Sequence, residues 1–597
     1  MEWSLYNQNG FLKPYLFSNN KSQEDVVKEV IESIKEGHKI IFIKGACGSG
    51  KSAIALNIAK ELGKTSIIVP LKPLQKQYQD DYTNKLYILK NNKKLNISII
   101  DGRNNHVCPF NGDCNCDNKT LPCTIDIKKE NLDLLKGYIN LNPFVKLEDF
   151  NDIKEIRRKS IAPACPYWSP IIPNDINYYM KDADPIEYKG LKNKNFTIYR
   201  RKNGCNYYDQ FTSYIHSDVI IFNSKKYELE NVMDRKPATE VEIIDECDEF
   251  LDNLSSEKRI NLDKLSRKLM NVHNQKIMDL TIEINDLLIE IIKNNSGKEP
   301  LLIKNTKLLK LLKYFLDNPV LIEETEEEIS NYLYTVYEIA KSFEDLFNET
   351  YISFNKNEYQ DMIVSLVTIN LEKKLKEFLD KNNVFVMMSG TIHSEGVLKE
   401  IFGIKKFKII EAETRFKGKL KKISSGLERD FKFEFYKQNR ELYLKALSKC
   451  IELAKKPVLV HVKAFSDLPT EFEHYTFKNI KTELELKKEQ ETYKRGELLN
   501  QFKNKEIDIL YSTKCSRGVD LPKELCNSII FTRYPYPNID SLFWKVLKKS
   551  RPEHFRLFYF DKARRSILQG IYRGLRSEDD EINLLSPDLR VLNNFQN

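Results

Sequence analysis

The run Gly45-Ala46-Cys47-Gly48-Ser49-Gly50-Lys51-Ser52 fits the pattern GxxxxGK(S/T). Its glycines let successive backbone N–H groups curl around phosphate oxygens, and a helix starting at its end adds a positive pole. Lys51 is then placed to reach the β- and γ-phosphates of ATP, and the Ser52 hydroxyl to ligate Mg²⁺. A chance glycine-rich turn would not need the flanks that this run has. Before it, Lys39-Ile40-Ile41-Phe42-Ile43 reads as a buried strand. After it, AIALNIAKEL reads as an amphipathic helix closed by Gly63.

Two further sets of residues fit the same chemistry. Asp245-Glu246-Cys247-Asp248 ends the apolar strand Val241–Ile244, which delivers acids at its C-terminal edge. Asp245 is assigned to Mg²⁺ and Glu246 to general base or water positioning. Acidic turns are common, so the phosphate loop is what gives this pair its meaning. In Gln569-Gly570-Ile571-Tyr572-Arg573-Gly574-Leu575-Arg576, Arg573 and Arg576 stand at i, i+3 and face the same way. Alone they would be a basic surface helix; beside an ATP site they suit arginine fingers on the γ-phosphate.

Of the 11 cysteines, Cys108, Cys114, Cys116, Cys123, Cys165 and Cys205 share one stretch. A long chain without a readable secretory signal is a poor candidate for a disulfide framework. Clustered thiols of this kind suit zinc or iron–sulfur, and the paired CxxC knuckles that favour zinc do not occur. Buried, redox-silent thiols are the plain alternative.

Strands alternating with helices must position these groups. Ser66–Val69 follows the first unit, and Asp218–Phe222, Val241–Ile244 and Val384–Met388 return to the pattern after long interruptions. Pro457–Val460, Ile507–Tyr511 and Ser528–Phe531 form a second alternating series. That pattern reads as doubly wound α/β. Residues 101–210 break it with Cys, Asn, Pro and Tyr. From about residue 255 the text turns helical, with Leu262, Leu265 and Leu269, then Ile277, Leu280, Ile284, Leu287, Leu288 and Ile291 at three- and four-residue steps. The acidic run Glu323–Glu328 reads as a solvated helix start. At 41% hydrophobic, the chain of 597 residues can build real cores, and its net charge of +9 is a mild cationic bias. No apolar run approaches the roughly 20 residues that a membrane helix needs, so a cytoplasmic protein without membrane contact is expected.

In motif order over nearly the whole chain, the sequence resembles the superfamily 2 helicases, specifically the XPD/DinG group of iron–sulfur helicases. Gln23 resembles the adenine-reading glutamine ahead of the phosphate loop. Ser389-Gly390-Thr391 resembles the SAT motif, and Gln569–Arg576 the closing QxxGRxxR. Ser512–Pro522, with Gly518 and Asp520, resembles the EGxDxxG segment. Pro457–Val460 with Phe465 resembles the strand that opens the second motor domain. Gly102-Arg103-Asn104-Asn105-His106-Val107-Cys108 is close to GRxNxxC, which supplies the first cluster ligand, and Cys205 in GCNYYDQF resembles the last. Cys123 and Cys165 are preferred for the middle positions, because the one-residue separation of Cys114 and Cys116 makes joint ligation awkward. The chain departs from the family at Tyr572 in place of glycine, Asp248 in place of histidine and Arg517 in place of glutamate.

The resemblance implies an α/β fold of two RecA-like motor domains with an iron–sulfur insertion and a helical arch-like insertion. The expected map runs 1–100, 211–254 and 351–415 for the first motor domain, and 101–210 for the cluster insertion. The arch-like insertion follows at 255–350 and the second motor domain at 416–597. ATP and Mg²⁺ would be bound by Gln23, Gly45, Ala46, Cys47, Gly48, Ser49, Gly50, Lys51, Ser52, Asp245, Gly518, Asp520 and Gln569. A [4Fe-4S] cluster would be held by Cys108, Cys123, Cys165 and Cys205. The implied partner of this monomer is single-stranded and forked DNA, tracked 5′→3′. Arg157, Arg158, Lys159, Tyr167, Trp168, Tyr199, Arg200, Arg201, Tyr207 and Tyr208 are suited to contact a strand, the aromatics alternatively packing around the cluster. The rival reading keeps the ATPase but makes it a translocase or RNA remodeller without processive unwinding. The absence of any His-Asp dipeptide argues against a nuclease-helicase, and a non-catalytic scaffold leaves Lys51, Asp245, Glu246 and Arg576 unexplained. Lys51→Ala is expected to abolish ATP hydrolysis while sparing the fold, and Glu246→Gln to bind ATP but stall before hydrolysis. Steady-state phosphate release beside nucleotide binding checks both, and wild-type turnover in either variant would displace the assigned active site.

Overall fold

The structure, a computed structural model, describes residues 2–46, 48–70, 72–127, 129–150, 156–176, 178–270, 278–294, 297, 299–318, 321, 332–413, 418–492, 497–513, 521, 523–575 and 579–594. Its first sheet runs in the order Lys408–Glu411, Ile40–Lys44, Phe385–Ser389, Val241–Asp245, Thr65–Val69, Val219–Asn223 and Ile97–Ile100, each strand parallel to its neighbours. The inner strands are apolar on both faces because helices cover both, which is why they read as continuous runs. Ile41, Ile43, Ile54, Leu56 and Ile58 meet on one face, while Phe42, Ile68, Ile220 and Phe385 lie on the other. The helix Lys51–Leu62 packs closely through Ala53, Ala55 and Ala59 and stops at Gly63, whose φ of 106° ends the helical path.

Three neighbouring strands of this sheet end side by side. Lys44 pairs with Ser389, and Met388 with Asp245. The phosphate loop, the acid pair and the Ser389–Thr391 turn therefore leave one sheet edge together, where ligands bind in open parallel sheets.

A second parallel sheet follows the order Lys419–Lys422, Glu581–Leu585, Ser528–Phe531, Val458–His461 and Ile509–Ser512. Its helix Pro552–Ile571 lies against the helix Glu395–Glu400 of the first unit. Phe558 packs on Phe402 and His393 there and Trp544 on Phe558, in the same apolar cluster as Phe385 and Met387 of the first sheet. The helices of the second unit thus join the core of the first sheet.

Both interruptions carry strands that the sequence pattern hides. Residues 101–210 hold an antiparallel sheet of Ile171–Pro173, Asn195–Arg200 and Asp184–Lys189, beside a small core of Ile125, Leu135, Ile139, Ile156 and Ile161. The later insertion contains the expected helices: Leu262, Leu265, Leu269, Ile284, Leu288 and Ile291 are all buried, while Ile277 and Glu323–Glu328 lie outside the described residues. It also holds the antiparallel strands Lys258–Asn261, Met362–Thr368, Thr350–Lys356 and Leu301–Leu302, paired in that order. Ile352, Phe354, Val364 and Leu366 turn inward from the long hairpin onto the helices. Residues 350–368 therefore belong to the inserted unit, beyond the expected boundary at 350, because their inward side chains complete its core.

Gly570 sits where the long helix crosses the second sheet. A Cβ there would come within 2.6 Å of the Phe531 ring and 3.0 Å of His461 Nε2. Gly570→Ala is expected to destabilise the protein by about 1–3 kcal/mol through overpacking. A fall in the denaturant midpoint tests it; an unchanged midpoint would mean that the helix can lift without cost.

Candidate nucleotide site and interdomain contact

The phosphate loop is tied on three sides. The Gly45 N–H donates to the Ser389 carbonyl at 3.2 Å, and the Ala46 N–H to the Glu413 carbonyl at 2.7 Å. Gly48 and Gly50 have φ of 79° and 72°, the left-handed region that a side chain would strain. Gly50 also has no space: a Cβ would lie 2.2 Å from Gln23 Nε2. Gln23 donates to the Ser49 carbonyl at 3.1 Å and accepts from the Tyr15 N–H at 2.9 Å, so it joins the N-terminal segment to the loop. The Glu413 carboxylate accepts from the Ser18 N–H and hydroxyl at 3.0 and 2.5 Å and holds the same segment from the other side. Lys51 is buried, with Nζ donating to the Gly45 and Ala46 carbonyls at 3.2 and 3.5 Å. Its ammonium is held inside the loop that a phosphate chain would enter. Cys47 lies outside the described residues.

Asp245 is buried at the end of its strand. One carboxylate oxygen accepts from the Glu246 N–H at 3.0 Å and the other from the Tyr78 hydroxyl at 3.0 Å. Burial pushes this carboxyl up to about 6, with Lys51 opposing and Glu246 adding. Glu246 has φ 50° and ψ 51°, a left-handed conformation uncommon for glutamate. Strain of this kind concentrates at functional positions, and here it turns the second acid off the strand into the helix Cys247–Asn253.

The next acid, Asp248, is fully buried at the contact between the two units. Its carboxylate accepts from Ser389 Oγ at 2.8 Å, Thr391 Oγ1 at 3.0 Å, Arg565 at 3.4 Å and Gln569 Nε2. Gln569 also donates to Thr391 Oγ1 at 2.8 Å. One turn further along, Asp252 meets Arg565 at 2.8 Å and His393 Nε2 at 3.0 Å. Burial alone would raise the Asp252 carboxyl, but Arg565 and Lys562 hold it well below the usual carboxylate range. Asp561 closes the set on Arg565 at 2.7 Å and accepts from the Ser394 N–H at 2.9 Å. The contact thus joins the acid pair's helix and the Ser389–Thr391 turn to one helix of the second unit.

Gln569, expected at the nucleotide, is thereby placed on Asp248 and Thr391. Arg573 is buried in the second unit near His461, and Arg576, Gly518 and Asp520 lie outside the described residues. Sequence reasoning missed Arg565, Asp252 and His393. Their signal was spacing: Asp561, Arg565 and Gln569 recur every fourth residue on one helix face, opposite Asp248 and Asp252 at the same interval.

Five of the six clustered thiols, those of Cys108, Cys116, Cys123, Cys165 and Cys205, are buried, while Cys114 is half-exposed. They share one apolar cluster and lie close enough to perturb one another, with Cys116 Sγ 4.0 Å from Cys205 Sγ. The Arg103 guanidinium donates to Cys123 Sγ at 3.4 Å and to the Tyr208 hydroxyl at 2.9 Å, and stacks on the Tyr207 ring at 4.2 Å. Cys205 is drawn down to about 7 by the Cys116 thiol, burial opposing and the Tyr208 and Tyr207 amides helping. Buried sulfurs supplied with N–H donors are the chemistry that an iron–sulfur cluster requires, so the residues fit one. Among the described residues no group of three or more His, Cys, Asp and Glu side chains is placed to hold a metal ion. Cys116 belongs to this group by position, beside the four thiols preferred from the sequence. Of the aromatic strand-contact candidates, Trp168, Tyr207 and Tyr208 are buried and pack around the thiols; Arg158 is buried on the carbonyls of Pro122 and Ile125.

Comparison with known proteins agrees with this geometry. Residues 16–129 match the family described as type III restriction enzyme, res subunit, and residues 447–596 the family described as helicase C-terminal domain. No curated protein matches. An XPD helicase structure superposes with TM-score 0.52 at 15% identity, over 96% of this chain and 97% of that one. An apo XPD structure gives TM-score 0.53 at 13% identity, over 96% and 98%, and an XPD structure from S. tokodaii gives 0.53 at 13%, over 96% of both. What these matches show is the fold: paired parallel sheets in the arrangement of the XPD structures, as the motif resemblance implied. No helix of the described residues is long and apolar enough to cross a membrane.

Removing the central cation of the contact should be costly. Arg565→Ala would strand Asp248 and Asp252 in the interior and is expected to cost about 3–5 kcal/mol. Denaturant unfolding and limited proteolysis between the two sheets read the loss; a midpoint equal to wild type would mean that the contact is not a stable part of the fold.

Proposed function

We propose that the chain is an ATP-dependent DNA helicase that moves 5′→3′ on single-stranded DNA and opens forks. The observation that carries this reading is the buried Asp248, which sits three residues after the Mg²⁺-binding acid and is shared by both motor sheets. Gly45–Ser52 bind the triphosphate, with Lys51 on the β- and γ-phosphates, Ser52 and Asp245 on Mg²⁺, and Glu246 orienting water. Gln23 reads the adenine side. Arg573 and Arg576 reach the γ-phosphate from the second sheet, and Gly518 and Asp520 complete that face. Hydrolysis alters the acid pair, and the Asp248 contact passes the change to the opposite sheet. The two sheets then shift along one strand.

Cys108, Cys123, Cys165 and Cys205 hold a [4Fe-4S] cluster that staples the first insertion at the point where the duplex divides. Four thiolates on one cluster give an irregular segment the rigidity that its small apolar core does not supply. The net charge of +9 and the exposed cations of the insertion favour a phosphate backbone as partner.

Hydrolysis should rise on addition of a single-stranded oligonucleotide, and a forked DNA with a 5′ tail should be unwound. Unwinding of RNA forks alone would replace the DNA reading with an RNA remodeller; stimulated ATPase without any strand displacement would leave a translocase. The anaerobically purified protein should contain iron. Cys108→Ser or Cys205→Ser should lose iron and strand separation while part of the ATPase remains. Full iron content in Cys205→Ser would remove that thiol from the ligand set.

A further inference from the structure

We infer that Tyr78 is a positioning residue for the Mg²⁺-binding carboxylate of Asp245, a role that rests on the ATPase reading above. Tyr78 is 2% exposed and its hydroxyl donates to Asp245 Oδ2 at 3.0 Å. The other oxygen, Oδ1, is held by the Glu246 N–H. A carboxylate gripped at both oxygens cannot swing, yet each oxygen keeps a second lone pair for a cation or its water.

The mount of Tyr78 is rigid. It lies near the end of the helix Lys72–Gln79, which continues into a wide turn over Asp80–Lys85. That turn sets Tyr82 beside Tyr78, ring centroids 6.1 Å apart, and widened turns of this type recur at functional sites. Gln75 pins the helix by donating to the carbonyls of Ile100 and Ile221 at 3.1 and 3.0 Å, across two strands of the first sheet.

The test uses the full chain, with Mg²⁺ titrated against binding of a fluorescent ADP analogue. Tyr78→Phe removes one oxygen and keeps the ring. The Mg²⁺ concentration at half-saturation should rise by roughly tenfold, the scale of one lost hydrogen bond to a charged group. Analogue affinity in EDTA should be unchanged, and the hydrolysis rate should recover at saturating Mg²⁺. Tyr82→Phe leaves the Asp245 bond intact and should shift the midpoint less. An unchanged or lower midpoint in Tyr78→Phe would overturn the inference, as would an equal shift in Tyr82→Phe, which would assign the effect to packing. If the wild-type protein shows no Mg²⁺-dependent analogue binding, the ATPase reading itself falls, and the two failures are told apart.

Discussion

A carboxylate removed from water must have its lone pairs filled, or its burial costs several kcal/mol. Asp248 meets that demand with donors from two places: Ser389 and Thr391 at the end of a neighbouring strand, and Gln569 and Arg565 from the second unit. Separation of the sheets would take the guanidinium and the amide away from it. The relative position of the sheets and the electrostatics next to Asp245 and Glu246 are therefore one variable. This accounts for the acid where the resembled motif has histidine. A site whose neighbours are a guanidinium, an amide N–H and two hydroxyls calls for an acceptor, and an aspartate fills it.

The rest of the first unit keeps that variable from being dissipated. Its central strands are clamped in register, so the ends at Lys44, Asp245 and Ser389 cannot move independently. Motion must then appear where the packing is least regular, in the phosphate loop and at Glu246. The left-handed glutamate is the one residue between a fully paired strand and a fully packed helix. Its conformation aims the side chain, and the surrounding order supplies the energy that holds it there.

The motor sheets were legible in the sequence because their strands are short apolar runs followed at once by loops with specific chemistry. Buried parallel strands have no polar face to blur the pattern, and Gly45–Ser52 fixes the boundary between strand and helix. The strands near residues 171–200 and 350–368 were hidden for the opposite reason. Asp184–Lys189 reads DPIEYK and is largely exposed, while TYISFNK and MIVSLVT sit beside amphipathic helices and read as part of a helical block. The acid pair was legible from its position at a strand end. Arg565 and His393 were not, since the four-residue interval of Asp561, Arg565 and Gln569 marks a helix face but does not name its partners on a distant segment. Tyr78 was hidden likewise, the single aromatic of the polar helix Lys72–Gln79.

The thiols show where spacing misleads. Cys114 and Cys116 stand at i, i+2, a spacing that in an extended segment would put both on one side. The segment is turned instead, and Cys114 is half-exposed while Cys116 is buried. What spacing does not decide is which of the two turns inward. That is set by the bridge between Val107 and Asn115, through which Cys108 bonds the Cys114 carbonyl and Cys116 the His106 carbonyl. Pairing of these two short segments puts Cys108 and Cys116 on the apolar side together. Arg103, in the turn just before, then reaches Cys123 and lies over Tyr207. This bridge and this guanidinium thus gather the sulfurs of Cys108, Cys116 and Cys123. Cys116 lies beside the four thiols proposed as ligands, and the bridge places it there.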